Sequence, residues 1–177
     1  TVIATTAYGG IRHPRTGQVM RPTPLDGAPG PETFKGDRRR AFRDWMMAPG
    51  NPFFAPAIVN RLWKHYMGRG LVEPVDDFRV TNPASNQPLL DYLADDFRQQ
   101  GYDIKKLIRR IMTSYVFGIS STPSDRNVAD IRNFSRYYRQ RLRAEVLLDA
   151  VNAVLGVEAD FTAMPSGSRA TQLWPSR

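Results

Sequence analysis

The 177-residue chain contains no cysteine, and that absence excludes a disulfide framework, thiol catalysis and any zinc site built on Cys. With only two histidines, His13 and His65, a multi-His metal centre has too few ligands. No run approaches the roughly 20 apolar residues that a membrane helix requires. The opening TVIATTAYGG has neither the basic start nor the apolar stretch of a signal peptide. G-x-S-x-G, H-E-x-x-H, Walker and dinucleotide-binding patterns are all missing, so no familiar catalytic set is present.

What is present is enough apolar material for a core: 41% hydrophobic and 11% aromatic residues. The net charge is +8 and the pI about 10.2, a balance compatible with nucleic acid, anionic lipid or acidic polysaccharide. The charge is spread, however. Residues 1–50 hold 8 basic and 4 acidic side chains, residues 51–100 hold 5 and 6, and residues 101–177 hold 12 and 7. Beyond Arg38-Arg39-Arg40 there is no block of like charge.

The pattern predicts a mainly α fold, an irregular bundle of about five helices behind an N-terminal Gly/Pro-rich arm over residues 1–36. Val2 to Tyr8 is β-prone, and Gly9-Gly10 and Thr16-Gly17 are turn signals that allow a short β-hairpin. Pro22, Pro24, Pro29 and Pro31 favour extended chain. The arm is expected to pack on the helical body through Ile11, Pro14 and Val19.

The helical domain is expected over 37–164. Asp37 caps a first helix from Arg38 to Met47 with Ala41, Phe42, Trp45 and Met46 inward. Asn51-Pro52 opens a second, with Phe54, Ala57, Ile58 and Leu62 as its stripe, ending near Gly68 or Gly70. Ser85 or Asn86 caps a third, whose stripe is Leu89, Leu90, Leu93 and Phe97. Asp103 caps a fourth carrying Ile104, Leu107, Ile108, Ile111 and Met112. A last helix is expected from about Ser135 to Leu155, with Gly156 after it. Residues 165–177 are expected to be the start of a truncated C-terminal segment, and with no initiator Met the chain is expected to be part of a longer protein.

Each chemically suggestive group has a structural reading beside the functional one. Lys105, Lys106, Arg109 and Arg110 form an anion-binding stripe or a solvated helix face. Arg136, Arg139, Arg141 and Arg143, interleaved with Tyr137 and Tyr138, suit stacking on bases or sugars. A helix would rotate them apart, and Arg141 with Glu145 at i, i+4 would form an ion pair. Asp76-Asp77 is the strongest carboxylate pair, able to bind a hard cation or do acid–base work, or to hold turns and arginines. His13, inside Arg12-His13-Pro14-Arg15, is a base candidate or a tethered turn. The catalytic candidates, if the chain is an enzyme, are His13, Asp76, Asp77 and Glu145. No metal ligand set is assigned. Asn60-Arg61-Leu62-Trp63 reads as structural, with Arg61 at least half buried and paired to Asp76 or Asp77.

Long runs carry a resemblance: Asn51 to Trp63, Gly68 to Phe78, Asn82 to Ser85, Leu89 to Ala94, Lys106 to Arg109, Ile111 to Ser114, Arg141 to Glu145 with Asp149-Ala150, Arg12 to Gly17, and Gly167 to Ala170. Together they resemble domain of unknown function 1553, the PSD-one C-terminal domain of large planctomycete-type bacterial proteins. The resemblance implies a secreted or periplasmic setting and further domains upstream, often with cytochrome c-like modules. It brings no assigned reaction, ligand or catalytic residue. No C-x-x-C-H occurs here, so haem is an expectation only for other domains of the full-length protein. The reading that follows is a non-catalytic structural or interaction domain of a larger extracytoplasmic protein. Its expected partners are other domains of the same protein or other subunits of an assembly. Part of a hydrolase or other enzyme acting on polysaccharide is the alternative, and nucleic-acid binding the second.

Scattered cations diluted by 17 acids do not build the continuous face that phosphate-driven binding needs. Fluorescence anisotropy with random duplex and single-stranded DNA is expected to show weak binding at low salt that vanishes at physiological salt. Micromolar binding at physiological salt, weakened by Lys105, Lys106, Arg109 and Arg110→Ala, would reverse that ranking.

Overall fold

A computed structural model describes residues 10–20, 23, 37–162 and 164–173. The β-prone stretch Val2 to Tyr8 and the prolines at 22, 24, 29 and 31 lie outside the described residues. Within them the protein is mainly α, with five helices and a two-stranded hairpin: β1 (Ile11–Arg12), β2 (Val19–Met20), α1 (Arg38–Met46), α2 (Phe54–Met67), α3 (Gln87–Gln99), α4 (Ile104–Met112) and α5 (Ala144–Leu155). Single 3-10 turns occupy Tyr115–Phe117 and Ala170–Gln172. The chain divides into two compact units, Thr1–Tyr138 and Arg139–Arg177.

Local chemistry sets the helix ends. The Asp37, Asn86 and Asp103 side chains accept from the amides of Arg39, Leu89 and Lys106, so orphan donors of the first turns are satisfied. Asn51 Oδ1 accepts from the Phe53 and Phe54 amides at 2.9 and 3.0 Å. The second helix nevertheless begins at Phe54, later than Pro52, because Asn51 closes an Asx turn ahead of it. Gly68 ends α2 in the left-handed region at φ 81°, where a side chain would be strained.

The core lies in the first unit. From α2 come Ala55, Val59, Trp63 and Met67; from α3, Leu90, Leu93, Ala94 and Phe97; from α4, Leu107 and Ile111. Leu71 and Val72 enter from the loop after α2, and Phe134 enters from the segment beyond α4. The α2 row is one residue away from the expected stripe. Ile58 and Leu62 pack only at its flank, while Trp63 and Met67 take the central position.

Further expectations fail. Phe42 on α1 and Ile104 and Met112 on α4, expected on the apolar sides of their helices, are exposed. The hairpin does not bury its apolar residues: Ile11 is 79% and Val19 62% exposed. Two-residue strands present too little apolar area to dock, and the turn closes on itself through His13 N–H to Gln18 O at 2.8 Å and Arg12 Nη1 to Gly17 O at 3.1 Å. The last helix starts at Ala144 instead of about Ser135. Phe134 takes φ 56° and meets Trp63 edge-on at 5.4 Å. The Tyr138 hydroxyl accepts from the Phe134 amide, and the Tyr137 hydroxyl donates to Tyr66 O at 2.7 Å. These tertiary anchors override local helix preference.

Asn60 is fully buried on α2 and joins it to the following loop. Its Nδ2 donates to Val72 O and Val75 O, both at 2.9 Å, and its Oδ1 accepts from the Val72 amide at 3.0 Å. Each bond contributes about 0.5–1.5 kcal/mol net, and losing all three strands buried backbone groups. Urea denaturation is expected to show Asn60→Ala destabilised by about 2–4 kcal/mol. Gly70→Ala should also destabilise, since its Cβ would fall 2.5 Å from Val72 O. A loss below about 0.5 kcal/mol for Asn60→Ala would contradict this role.

Candidate functional site

The loop between α2 and α3 is cross-braced at several points. Its backbone is held by Asn60 from one side. Glu73 Oε1 accepts from the Gly70 amide at 2.8 Å, and Oε2 takes Lys64 Nζ at 3.0 Å. Asn82 Nδ2 donates to Glu73 O and Asp77 O, and the Ser85 amide bonds Leu71 O at 2.7 Å. Burial alone would raise the Glu73 pKa. The Gly70 amide and the Lys64 ammonium outweigh it and hold the carboxyl below its usual value.

A second braced segment faces this loop. Asp130 accepts from the amides of Arg132, Asn133 and Ser135, and from the Ser135 hydroxyl. The Ser135 hydroxyl and these amides hold its carboxyl well below the carboxylate range. Between the two segments lies a cavity of about 90 Å³ lined by Arg69, Leu71, Glu73, Asn82, Ser85 and Arg132, among others.

The candidates read from sequence are not gathered into one cleft; each is engaged by its own neighbours. Arg61 does pair with Asp76, at 2.6 Å, but the two side chains are 58% and 57% exposed, so the expected half-burial of Arg61 is wrong. It points outward from α2 while Asn60 points inward, and such an exposed pair contributes about 0–1 kcal/mol. Asp77 pairs with Arg79 at 2.9 Å. His13 Nδ1 accepts from the Arg15 and Thr16 amides inside its own turn. Glu145 pairs with Arg143 and not with Arg141. Residues 141–143 precede the helix, so the i, i+4 geometry for Arg141 never forms.

On α4, Arg110 is bidentate on Asp96 at 2.6 and 3.0 Å, and Lys106 Nζ bonds Gln100 Oε1 at 3.1 Å. That leaves Lys105 and Arg109 as the exposed cations of this stripe without a side-chain partner among the described residues. In the second unit, an open hollow of about 610 Å³ borders Asp149, Asn152, Gly156, Val157 and Arg169. Asp149 is occupied, accepting from the Ala170 and Thr171 amides and the Thr171 hydroxyl. Among the described residues no group of three or more His, Asp or Glu is placed to hold a metal ion, and no helix is long and apolar enough to cross a membrane.

Sequence reasoning offered Ser85 only as a helix cap and did not single out Arg69, Glu73, Asn82 or Arg132. The local signal was Gly68 and Gly70 around Arg69, a turn that sends the chain back over α2. Arg132 gave none, because only the tertiary fold brings its segment to that loop. A family model described as protein of unknown function (DUF1553) matches residues 38–170. No curated protein and no solved structure gives a significant match.

Glu73 and Asp130 both have folded-state pKa values below their unfolded ones of about 4.3 and 3.9. Their stabilisation is therefore full above those unfolded values and is lost as pH falls through the lower folded ones. Urea midpoints recorded between pH 7 and pH 3 are expected to fall on the acid side. Glu73→Gln should start lower at pH 7 and fall less steeply. A Glu73→Gln profile parallel to the parent would contradict the assignment.

Proposed function

The chain belongs to the family of proteins of unknown function described as DUF1553, and we propose that it serves there as a non-catalytic interaction domain, docking against other domains of the same larger protein. One observation carries this reading: α5 has no buried residue. Val146, Leu147, Leu148, Val151, Val154 and Leu155 are all exposed, Val154 at 85%. An apolar helix of this kind gains its stability by covering that surface. Its unit, Arg139–Arg177, falls in the size range below about 40 residues where a core of its own is usually insufficient.

The non-catalytic part of the reading is supported by the engagement of His13, Asp76, Asp77 and Glu145 with separate neighbours. Placement outside the cytoplasm rests on the resemblance to planctomycete-type secreted proteins. Neither the polysaccharide-hydrolase reading nor the nucleic-acid reading has an observation of comparable weight behind it.

Hydrogen–deuterium exchange on the full-length gene product and on residues 1–177 tests the proposal. The α5 amides are expected to exchange at least about tenfold more slowly in the full-length protein. Equal exchange in the two would overturn the docking reading. Val151→Asp with Leu155→Asp should return the full-length protein to the fast rate.

A further inference from the structure

The geometry points to a binding site for a small oxyanion, phosphate or sulfate, in the cavity between the α2–α3 loop and the Arg132 segment. The site lies within the first unit and is independent of the docking reading for α5. Its volume of about 90 Å³ is well above the roughly 10–15 Å³ that one water needs, and it is too small for more than a single ion or the end group of a larger ligand.

The lining is chemically matched to such an ion. Arg69 and Arg132 both border the cavity; among the described residues no hydrogen bond or salt bridge engages either guanidinium, and Arg69 acts on Glu73 only through its charge. Ser85 Oγ is buried and has no hydrogen-bond partner there either. A buried hydroxyl without a partner is costly, and a bound acceptor would relieve it. Two planar guanidiniums and one hydroxyl are the donor set that phosphate and sulfate oxygens take. Glu73 is the opposing charge on the wall, but both of its oxygens are already engaged, by the Gly70 amide and by Lys64. Lys64 and Arg69 both act on Glu73, and on the cavity wall the two arginines outnumber that one carboxylate.

The donors are also held in advance, which lowers the cost of binding. Asn82 ties Glu73 O to Asp77 O, the Ser85 amide is fixed on Leu71 O, and Asp130 grips the Arg132 amide at 2.9 Å. Phe134, two residues beyond Arg132, is buried against Trp63 and anchors that segment to the core.

The test is titration of the ¹⁵N-labelled chain with sodium phosphate, sodium sulfate and methyl phosphate at constant ionic strength set by chloride. Nitrogen–proton correlation spectra would follow the amides and the arginine Nε groups. Phosphate or sulfate is expected to give saturable shifts centred on residues 69–73, 82–85 and 131–133. Arg132→Gln should weaken binding at least about tenfold, and Ser85→Ala about threefold, while Lys105→Gln with Arg109→Gln leaves it unchanged. Arg132 and the Ser85 hydroxyl are peripheral to the core, so both variants can be checked for a parent-like spectrum. If Arg69→Gln fails to fold, those two still carry the test. Methyl phosphate binding as tightly as phosphate would support an end-group site, and its exclusion a free-ion site. Shifts that fail to saturate, that chloride reproduces, or that persist unchanged in Arg132→Gln would overturn the proposal.

Discussion

One buried carboxamide organises the first unit. Asn60 sits among Ala55, Val59, Trp63 and Met67 on the core side of α2, where a polar group is costly unless every hydrogen-bonding atom is used. Its carboxamide oxygen and both of its donor hydrogens are used on the backbone of residues 72–75. That places Leu71 and Val72 in the core and sets the path of the chain toward α3. The close approach leaves no room for a Cβ at position 70, so Gly70 and Asn60 are one constraint seen from two sides.

From that constraint the outer braces follow. With residues 70–75 fixed, Glu73 reaches back to Gly70 and Lys64, and Asn82 closes over the loop. The exposed Arg61–Asp76 pair sits on the far face of the same helix and adds little by comparison, since solvent screens it. Burial, and not charge, separates the two neighbouring residues: position 60 determines the loop's path, and position 61 decorates it.

What the sequence made legible was local. Asp37, Asn86, Asp103, Gly68 and Gly156 act within a few residues, and caps placed from their chemistry agree with the structure. The mainly α class followed from the same signals. The buried row of α2 was ambiguous because Ile58 and Leu62 are as apolar as Val59 and Met67, and periodicity alone cannot choose between adjacent rows. Residues 135–138 were illegible for another reason. Their path depends on Tyr137 meeting Tyr66 across 71 positions, information absent from any short window. The cavity between Arg69 and Arg132 was hidden in the same way, and the choice of Arg143 over Arg141 as the partner of Glu145 followed from where α5 begins.

The edge-on meeting of Trp63 and Phe134 has an optical consequence. Trp63 is buried in the apolar core of the first unit, whereas Trp45 lies on α1 stacked beside Phe42 in partial contact with solvent. An indole shielded from water emits at shorter wavelength than one that is wetted. Trp63 is therefore a built-in fluorescent reporter for the 130s segment. Release of Phe134 would remove part of the indole's apolar cover and shift its emission to the red, read against the emission of the other two tryptophans.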